Sequence, residues 1–201
     1  MTARGDASGE LDQDYLEVLA RTLRGRGIAL APGLTDRQLE AAEAAHGFRF
    51  PTDLRAMLAF ALPVGRRFPD WRDPNSERIR ERLAWPADSL CFDVEHASFW
   101  LPAWGRRPDS LAAAKARARD AVRAAPFLIP IYAHRYLPAE PCVPGNPVFS
   151  VYQTDIILYG LDLAVYLFHE FGAPNPYPAP AAPRRIAFWS DLEDLDERAQ
   201  P

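Results

Sequence analysis

The sequence predicts a single domain of the α+β class, and three observations favour it. A chain of 201 residues, of which 48% are hydrophobic, can bury one substantial core, whereas two domains of half that length would be cramped. The first half of the chain contains apolar residues at helical spacing. The second half contains short runs of β-branched and aromatic residues separated by turn signals, which are typical of antiparallel strands.

The first part of the chain predicts three helices. Over residues 11–23, apolar side chains repeat at helical spacing. Thr35 is predicted to cap a second helix and to form a capping box with Gln38, and Gly47 is predicted to end that helix. Thr52 is predicted to cap a third helix, whose apolar face continues to Ala61.

The middle of the chain is rich in tryptophan and irregular in pattern. Four of the five tryptophans lie between residues 66 and 108. A short helix is predicted at Asn75 to Leu83. The alternation that starts at Leu90 predicts a half-buried strand, with Phe92 and Val94 in the core and Asp93 and Glu95 facing solvent. The tryptophans expected in the core are Trp71, Trp85 and Trp189.

The sheet is predicted in the second half of the chain, after a surface helix over residues 110–124. The predicted strands are FLIPIYA, PVFSVYQ and DIILYG. The last two form a hairpin through a turn near Gln153 to Asp155. A helix over residues 161–172 follows, and Gly172 is predicted to end it.

This pattern divides the chain into three parts. Residues 1–10 are expected to be disordered. Residues 11–172 form the domain, with the tryptophan-rich insert at about 66–108. Residues 173–201 form a proline-rich connector and a docking tail, which is anchored by Ile186, Phe188 and Trp189 before a short helix capped at Ser190.

Composition excludes several classes of function. The net charge is −4, and the arginines near the N-terminus lie among acids, which argues against nucleic-acid binding. No apolar run is long enough to span a bilayer, and acidic residues near the N-terminus are unlike a signal peptide, so we expect a cytoplasmic protein. Cys91 and Cys142 lie in apolar surroundings and are expected to be reduced, buried thiols.

A resemblance to a known family is carried by three stretches: LTDRQLEAAEAAHGFRFPTDLRAML, LIPIYAHRY and GNPVFSVYQTDIILYGLDLAVYLFHEF. They span Leu34 to Phe171 and resemble the SUKH superfamily, the Smi/Knr-like proteins. The strongest elements are the helix ending in Glu43, the glycine at Gly47, the Phe50-Pro51 pair that opens the next helix, and the hairpin followed by a helix. The segments between these stretches look like an actinobacterial-type branch of the superfamily.

The resemblance implies a curved antiparallel sheet flanked by helices, with a groove on its concave side that binds a protein partner. It implies a non-enzymatic immunity or regulatory protein without a cofactor, which neutralises a partner such as a cognate toxin by steric binding. The expected groove has an acidic rim and aromatic anchors. Its candidate residues are Asp93, Glu95, Trp100, Trp104, Tyr132, His134, Arg135, Gln153 and Asp155.

The loop with Trp100 and Trp104 leaves two arrangements open. These residues flank Pro102 and are followed by arginines, as in an exposed aromatic anchor of a binding surface. The same loop folded over the sheet would have an identical sequence.

Two other functions also stay open. Asp93, Glu95, His96 and His134 could bind a metal or a small ligand in an enzyme, although their spacing is not diagnostic. Neither cysteine has a visible base, and no GxSxG motif is present, so nucleophilic catalysis has no support in the sequence. Alternatively, the chain is a structural subunit that docks to a larger complex through its tail.

Overall fold

The computed structural model describes residues 11–175 and 178–199. The predicted N-terminal disorder at residues 1–10 lies outside this part of the chain. The described part contains seven α-helices and six strands, so the predicted single α+β domain is confirmed. The helices are α1 (Gln13–Gly25), α2 (Asp36–His46), α3 (Thr52–Phe60), α4 (Glu77–His96), α5 (Leu111–Ala124), α6 (Leu163–Glu170) and α7 (Trp189–Ala199). The strands are β1 (Ala29–Pro32), β2 (Ala61–Val64), β3 (Leu128–Tyr132), β4 (Arg135–Pro138), β5 (Val148–Tyr152) and β6 (Asp155–Gly160).

Helix α2 has the termini that the sequence predicts. The Thr35 hydroxyl accepts a hydrogen bond from the Gln38 amide, and the Gln38 side chain accepts one from the Thr35 amide, which completes the capping box. Gly47 ends the helix in the left-handed conformation, at a φ of 71° that favours glycine.

Helix α3 differs from its prediction at both ends. Thr52 is its first residue rather than its cap, since Pro51 occupies the cap position and no side chain caps the helix. The helix stops at Phe60, and Ala61 begins β2, which pairs antiparallel with β1. Backbone pairing with a strand distant in sequence therefore overrides the apolar helical pattern that continues to Ala61.

Helix α4 replaces two predicted elements, because the short helix and the strand that starts at Leu90 form one helix of 20 residues. The predicted facing of Phe92 and Asp93 is reversed: Phe92 is 47% exposed and Asp93 is 6% exposed. Leu90, Cys91 and Val94 are buried together because positions i, i+1 and i+4 lie on one face of a helix. The alternation of apolar and polar residues that starts at Leu90 is therefore compatible with a helix that has one buried face.

Pro86 lies inside α4 without ending it. Proline has no amide proton, so the Arg82 carbonyl four residues earlier loses its helical donor. The Tyr136 hydroxyl donates to that carbonyl at 2.9 Å. The Trp85 indole N–H donates to the Val151 carbonyl at 2.9 Å, which joins the same turn to β5. The sheet thus supplies the hydrogen bond that the helix lacks.

The main sheet has the order β3-β4-β5-β6, and all its neighbours are antiparallel. The predicted hairpin of β5 and β6 is confirmed, and Gln153 adopts a φ of 60° in its turn. Strand β4 was not predicted, because it follows β3 after a turn at Ala133 and His134 and is only four residues long.

Both faces of this sheet are covered by core. One face contributes Ile129, Leu137 and Val148 to a core with α1, α2, α3 and α6. The other face contributes Leu128, Tyr136, Phe149, Val151 and Ile156 to a second core with α4, α5 and α7. The sheet is therefore the middle layer between two groups of helices, and its exposed residues include Tyr152 at the end of β5 and Ile157 in β6.

The C-terminal tail is part of the second core. Ile186 and Trp189 are buried as predicted, and the Trp189 indole N–H donates to the Pro126 carbonyl at 2.7 Å. Helix α7 begins at Trp189, so Ser190 is not its cap. The Ser190 hydroxyl instead accepts from the Ile186 amide at 3.0 Å. Residues 178–185 form neither helix nor strand.

The two cysteines differ in their exposure. Cys91 is buried, but Cys142 is exposed, so the prediction of two buried thiols is wrong for Cys142, although both are free.

None of the helices in residues 11–175 and 178–199 combines the length and the apolar character that crossing a bilayer requires.

Candidate functional site

Asp93 is a structural residue of the interior rather than part of an exposed rim. Its carboxylate accepts hydrogen bonds from the Thr154 amide at 2.9 Å and from the Thr154 hydroxyl at 2.6 Å. These bonds tie α4 to the turn between β5 and β6. The predicted exposed position of Asp93 is wrong, because the continuous helix turns this side chain toward the hairpin.

Glu95 is engaged by a neighbouring helix. Its carboxylate lies 2.5 Å from the Lys115 Nζ, at the contact between α4 and α5. The hydrogen bond and the positive charge of Lys115 lower the pKa of Glu95. With Asp93 buried and Glu95 paired, the predicted acidic rim is not assembled at this place.

The tryptophan loop takes the folded arrangement of the two left open. Trp104 is buried in the second core. The ring of Trp100 packs edge-on against it at 5.2 Å, and its indole N–H donates to the Gly105 carbonyl at 2.7 Å. The two tryptophans therefore hold their own loop together.

Arg135 is a buried residue at the start of β4. Its guanidinium donates to the Ser150 hydroxyl at 3.0 Å and lies 3.5 Å from the Glu170 carboxylate. It also packs over the ring of Tyr159, at 3.6 Å from the centroid. With so many internal partners, Arg135 joins β4 to β5 and α6.

The other candidates lie at the turns that end the hairpins. Tyr132 is half-buried, and its ring centroid lies 4.7 Å from that of Phe68 and 5.3 Å from that of Phe171. Gln153 is half-buried in the turn between β5 and β6, and Asp155 is exposed at the first position of β6.

The four residues of the enzyme alternative do not form a common site. Asp93 and Glu95 have the partners described above. The ring centroids of His96 and Phe92 are 4.3 Å apart. The ring of His134 lies edge-on to that of Tyr152, with 6.2 Å between their centroids. Across the described residues, no group of three or more histidine, cysteine, aspartate or glutamate side chains is placed to hold a metal ion.

His134 instead belongs to an open groove of about 400 Å³ between α4 and the two hairpin turns, which we call the Trp85 groove. Its lining residues are Glu81, Arg82, Trp85, Ala133, His134, Tyr136 and Tyr152. Trp85 is 38% exposed and Tyr152 is 55% exposed, and their rings lie 6.1 Å apart. The expectation that Trp85 is a core residue is wrong, because Pro86, rather than Trp85, is the buried residue at this turn of α4.

Arg82 supplies positive charge to the Trp85 groove, which Glu81 also lines. The Arg82 guanidinium donates to the carbonyls of Ala133 and Arg66, each at 3.3 Å. Burial, together with the charge of Arg78, lowers the pKa of Arg82. Burial also lowers the pKa of His134, as do the charges of Arg135 and Arg67, so this imidazole is neutral at pH 7.

A second cavity of about 640 Å³ adjoins the Trp85 groove. It shares Glu81 and Arg82 with the groove, and its other lining residues are Arg66, Ser76, Glu77 and Arg78. The aromatic groove therefore continues into a polar cleft in which arginines outnumber glutamates.

The sequence contained a weak signal for this site. Arg82 and Trp85 are three residues apart, which places them on one helical face, but Pro86 favoured ending the helix before that face was complete. Tyr152 comes from the end of a strand 67 positions further along the chain. These two aromatic rings meet because α4 packs beside the end of β5, where the Trp85 indole N–H donates to the Val151 carbonyl.

A third cavity, of about 570 Å³, lies between α2 and the loop after β4 and includes Glu40, Arg49, Glu140 and Cys142. Its residue Glu43 accepts a hydrogen bond from the Phe50 amide at 3.0 Å. The Cys142 thiol donates to the Phe50 carbonyl at 3.4 Å. Although the residue as a whole is exposed, partial burial of the thiol and the charge of Glu43 raise its pKa, so this thiol is not activated as a nucleophile.

Comparison of the chain with protein-family models, with curated proteins and with solved structures finds no match.

Proposed function

We propose that this protein is a non-enzymatic protein-binding module of the Smi/Knr-like (SUKH) type. It acts as a bacterial immunity or regulatory protein that covers the functional surface of a partner, such as a cognate toxin, by steric binding. The observation that carries the proposal is the exposure of Trp85 and Tyr152 side by side in an open groove. Aromatic anchors of this kind dominate the binding energy of protein interfaces.

The composition of the Trp85 groove supports binding rather than catalysis. Among its lining residues are aromatic rings, one arginine, one glutamate and one neutral imidazole, but no hydroxyl or thiol nucleophile paired with a base. The phenol of Tyr136 is engaged with the Arg82 carbonyl, and burial raises its pKa. The groove thus offers shape and hydrogen bonds to a ligand.

The rigidity of the groove also supports this function. The indole of Trp85 is oriented by its hydrogen bond to the Val151 carbonyl, and α4 is tied to the hairpin turn by Asp93. An anchor held in place before binding loses little side-chain entropy when a partner docks, which increases affinity. The class of partner comes from the SUKH resemblance in Leu34 to Phe171 and from no other observation.

The test is a pull-down from the lysate of the source organism with wild type, a Trp85→Ala/Tyr152→Ala double variant and a Phe92→Ala control. Phe92 is also exposed and lies on the same helix, but it does not line the groove. We expect a specific protein that is captured by wild type and by the control and is lost with the double variant. Equal capture by all three folded proteins would refute the assignment of the groove.

A further inference from the structure

We infer that the Trp85 groove recognises an acidic peptide segment of its partner, with a partner carboxylate bound to Arg82 and an apolar or aromatic side chain packed on the exposed surface of Trp85 and Tyr152. This inference rests on the proposed function as a protein-binding module and names the chemistry of the segment that enters the groove.

Arg82 carries the first part of the argument. A guanidinium has five N–H donors, and those of Arg82 have two backbone carbonyls as partners within the described residues, both at the long distance of 3.3 Å. No carboxylate of the described residues lies within 4.0 Å of it, whereas Arg55, Arg135 and Arg185 each have at least one carboxylate partner. A half-buried cation without a counter-ion favours an anionic ligand.

The surroundings of Arg82 strengthen this preference. Arg66, Arg67 and Arg78 are exposed near it, and none of them lies within 4.0 Å of a carboxylate oxygen in the part of the chain that the structure describes. The whole chain carries a net charge of −4. Glu77 and Glu81 line the same cleft, but the arginines outnumber them. This edge therefore has an excess of positive charge on a chain that is negative as a whole, and its electrostatic complement is an acidic partner.

The cleft favours a peptide over a nucleic acid. Glu77 and Glu81 line it together with the arginines. A nucleic-acid strand carries a negative charge at every phosphate and would meet both glutamates, whereas a peptide can place its carboxylates opposite the arginines alone. The two rings of Trp85 and Tyr152 then accept the apolar side chain next to a carboxylate.

The test is selection of a phage-displayed library of random 12-residue peptides on the intact protein. We expect enrichment of sequences that combine Asp or Glu with one aromatic or large aliphatic residue. The affinity of the synthesised peptides should fall about 10- to 100-fold with Arg82→Gln, the loss that removing a hydrogen bond to a charged group produces. The matched control is Arg123→Gln, which removes an exposed arginine on α5 and should leave affinity unchanged.

The outcomes separate this inference from the proposed function. Enrichment of basic or uncharged peptides would overturn the inference of an acidic segment. Acidic peptides that bind folded Arg82→Gln as tightly as they bind wild type would overturn it too. If the enriched peptides still require Trp85 for binding, the proposed function as a protein-binding module stands. Tighter binding of a 12-nucleotide oligothymidylate than of any acidic peptide also overturns the inference. If no peptide depends on Trp85 for binding, the proposed function of the groove fails as well.

Discussion

At the scale of single residues, Asp93 connects two elements that are far apart in sequence. Asp93 is 6% exposed, and its carboxylate accepts two hydrogen bonds from Thr154. Any loss of function on changing Asp93 must therefore be separated from a loss of stability.

We expect Asp93→Ala to lower the free energy of unfolding by about 2–4 kcal/mol, because hydrogen bonds to a charged group contribute about 1.5–3 kcal/mol each and the Thr154 groups would lose their acceptor. Urea denaturation followed by circular dichroism measures this change. Asp120→Ala, an exposed aspartate on α5, is the control and should change stability by less than about 0.5 kcal/mol. A similarly small change for Asp93→Ala would contradict the structural role.

Asp53 is the second residue whose position has a measurable consequence. It is buried at the start of α3, where its carboxylate accepts from the amides of Leu54 and Gly145. Burial raises its pKa from 3.8 to about 6, against the effect of these hydrogen bonds. The folded state therefore binds this proton more tightly than the unfolded state does.

The stability contribution of Asp53 is fully present below pH 3.8 and is lost as the pH rises to about 6. We expect the free energy of unfolding of wild type, relative to Asp53→Asn, to fall by about 3 kcal/mol over this range, at about 1.4 kcal/mol per pKa unit. Denaturant titrations of both proteins at pH values from 4 to 7 measure the difference. A difference that stays constant or rises with pH would show that the pKa is not raised.

At the scale of elements, α4 depends on a hydrogen bond from another element. Tyr136 on β4 donates to the Arg82 carbonyl that Pro86 leaves without a helical donor. Arg82 and Trp85 lie in the turn just before Pro86 and line the groove, so the geometry of the helix at this proline shapes the site.

We expect Tyr136→Phe to cost about 1–2 kcal/mol of stability, because the Arg82 carbonyl then has no donor. In a Pro86→Ala background, the new amide at position 86 can donate to that carbonyl, and the cost of Tyr136→Phe should drop. A double-mutant cycle of the four proteins by chemical denaturation measures this coupling. Additive effects would mean that the hydroxyl does not replace the missing helical donor.

At the scale of the whole molecule, the two cores share one sheet. Neighbouring residues of β3, such as Leu128 and Ile129, belong to different cores, and the tail adds Trp189 to the second one. Loss of either core would expose a face of the sheet that both cores need, so the molecule should unfold as one unit.

We expect Trp189→Ala to destabilise the whole protein by about 3–5 kcal/mol, because it leaves a large cavity and removes the donor to the Pro126 carbonyl. Differential scanning calorimetry should show one transition at a lower temperature. Two separate transitions, or an unchanged one, would indicate instead that the tail is a detachable docking segment.

The sequence by itself determined the features that depend on neighbouring residues. The capping box of Thr35 and Gln38, the stop at Gly47 and the hairpin of β5 and β6 were predictable, because caps, turns and amphipathic periods are interactions within a few positions. The α+β class followed from the sum of such local patterns.

Only the tertiary structure decided α4 and the groove. The pattern of residues 90–96 is compatible with a strand as well as with a helix. A proline inside a helix is unfavourable, and α4 continues through Pro86 because the Tyr136 hydroxyl donates the hydrogen bond that the Arg82 carbonyl would otherwise lack. Trp85 and Tyr152 meet because α4 packs beside the end of β5, a contact between positions distant in sequence. Such contacts depend on how the elements pack, and a local pattern does not contain that information.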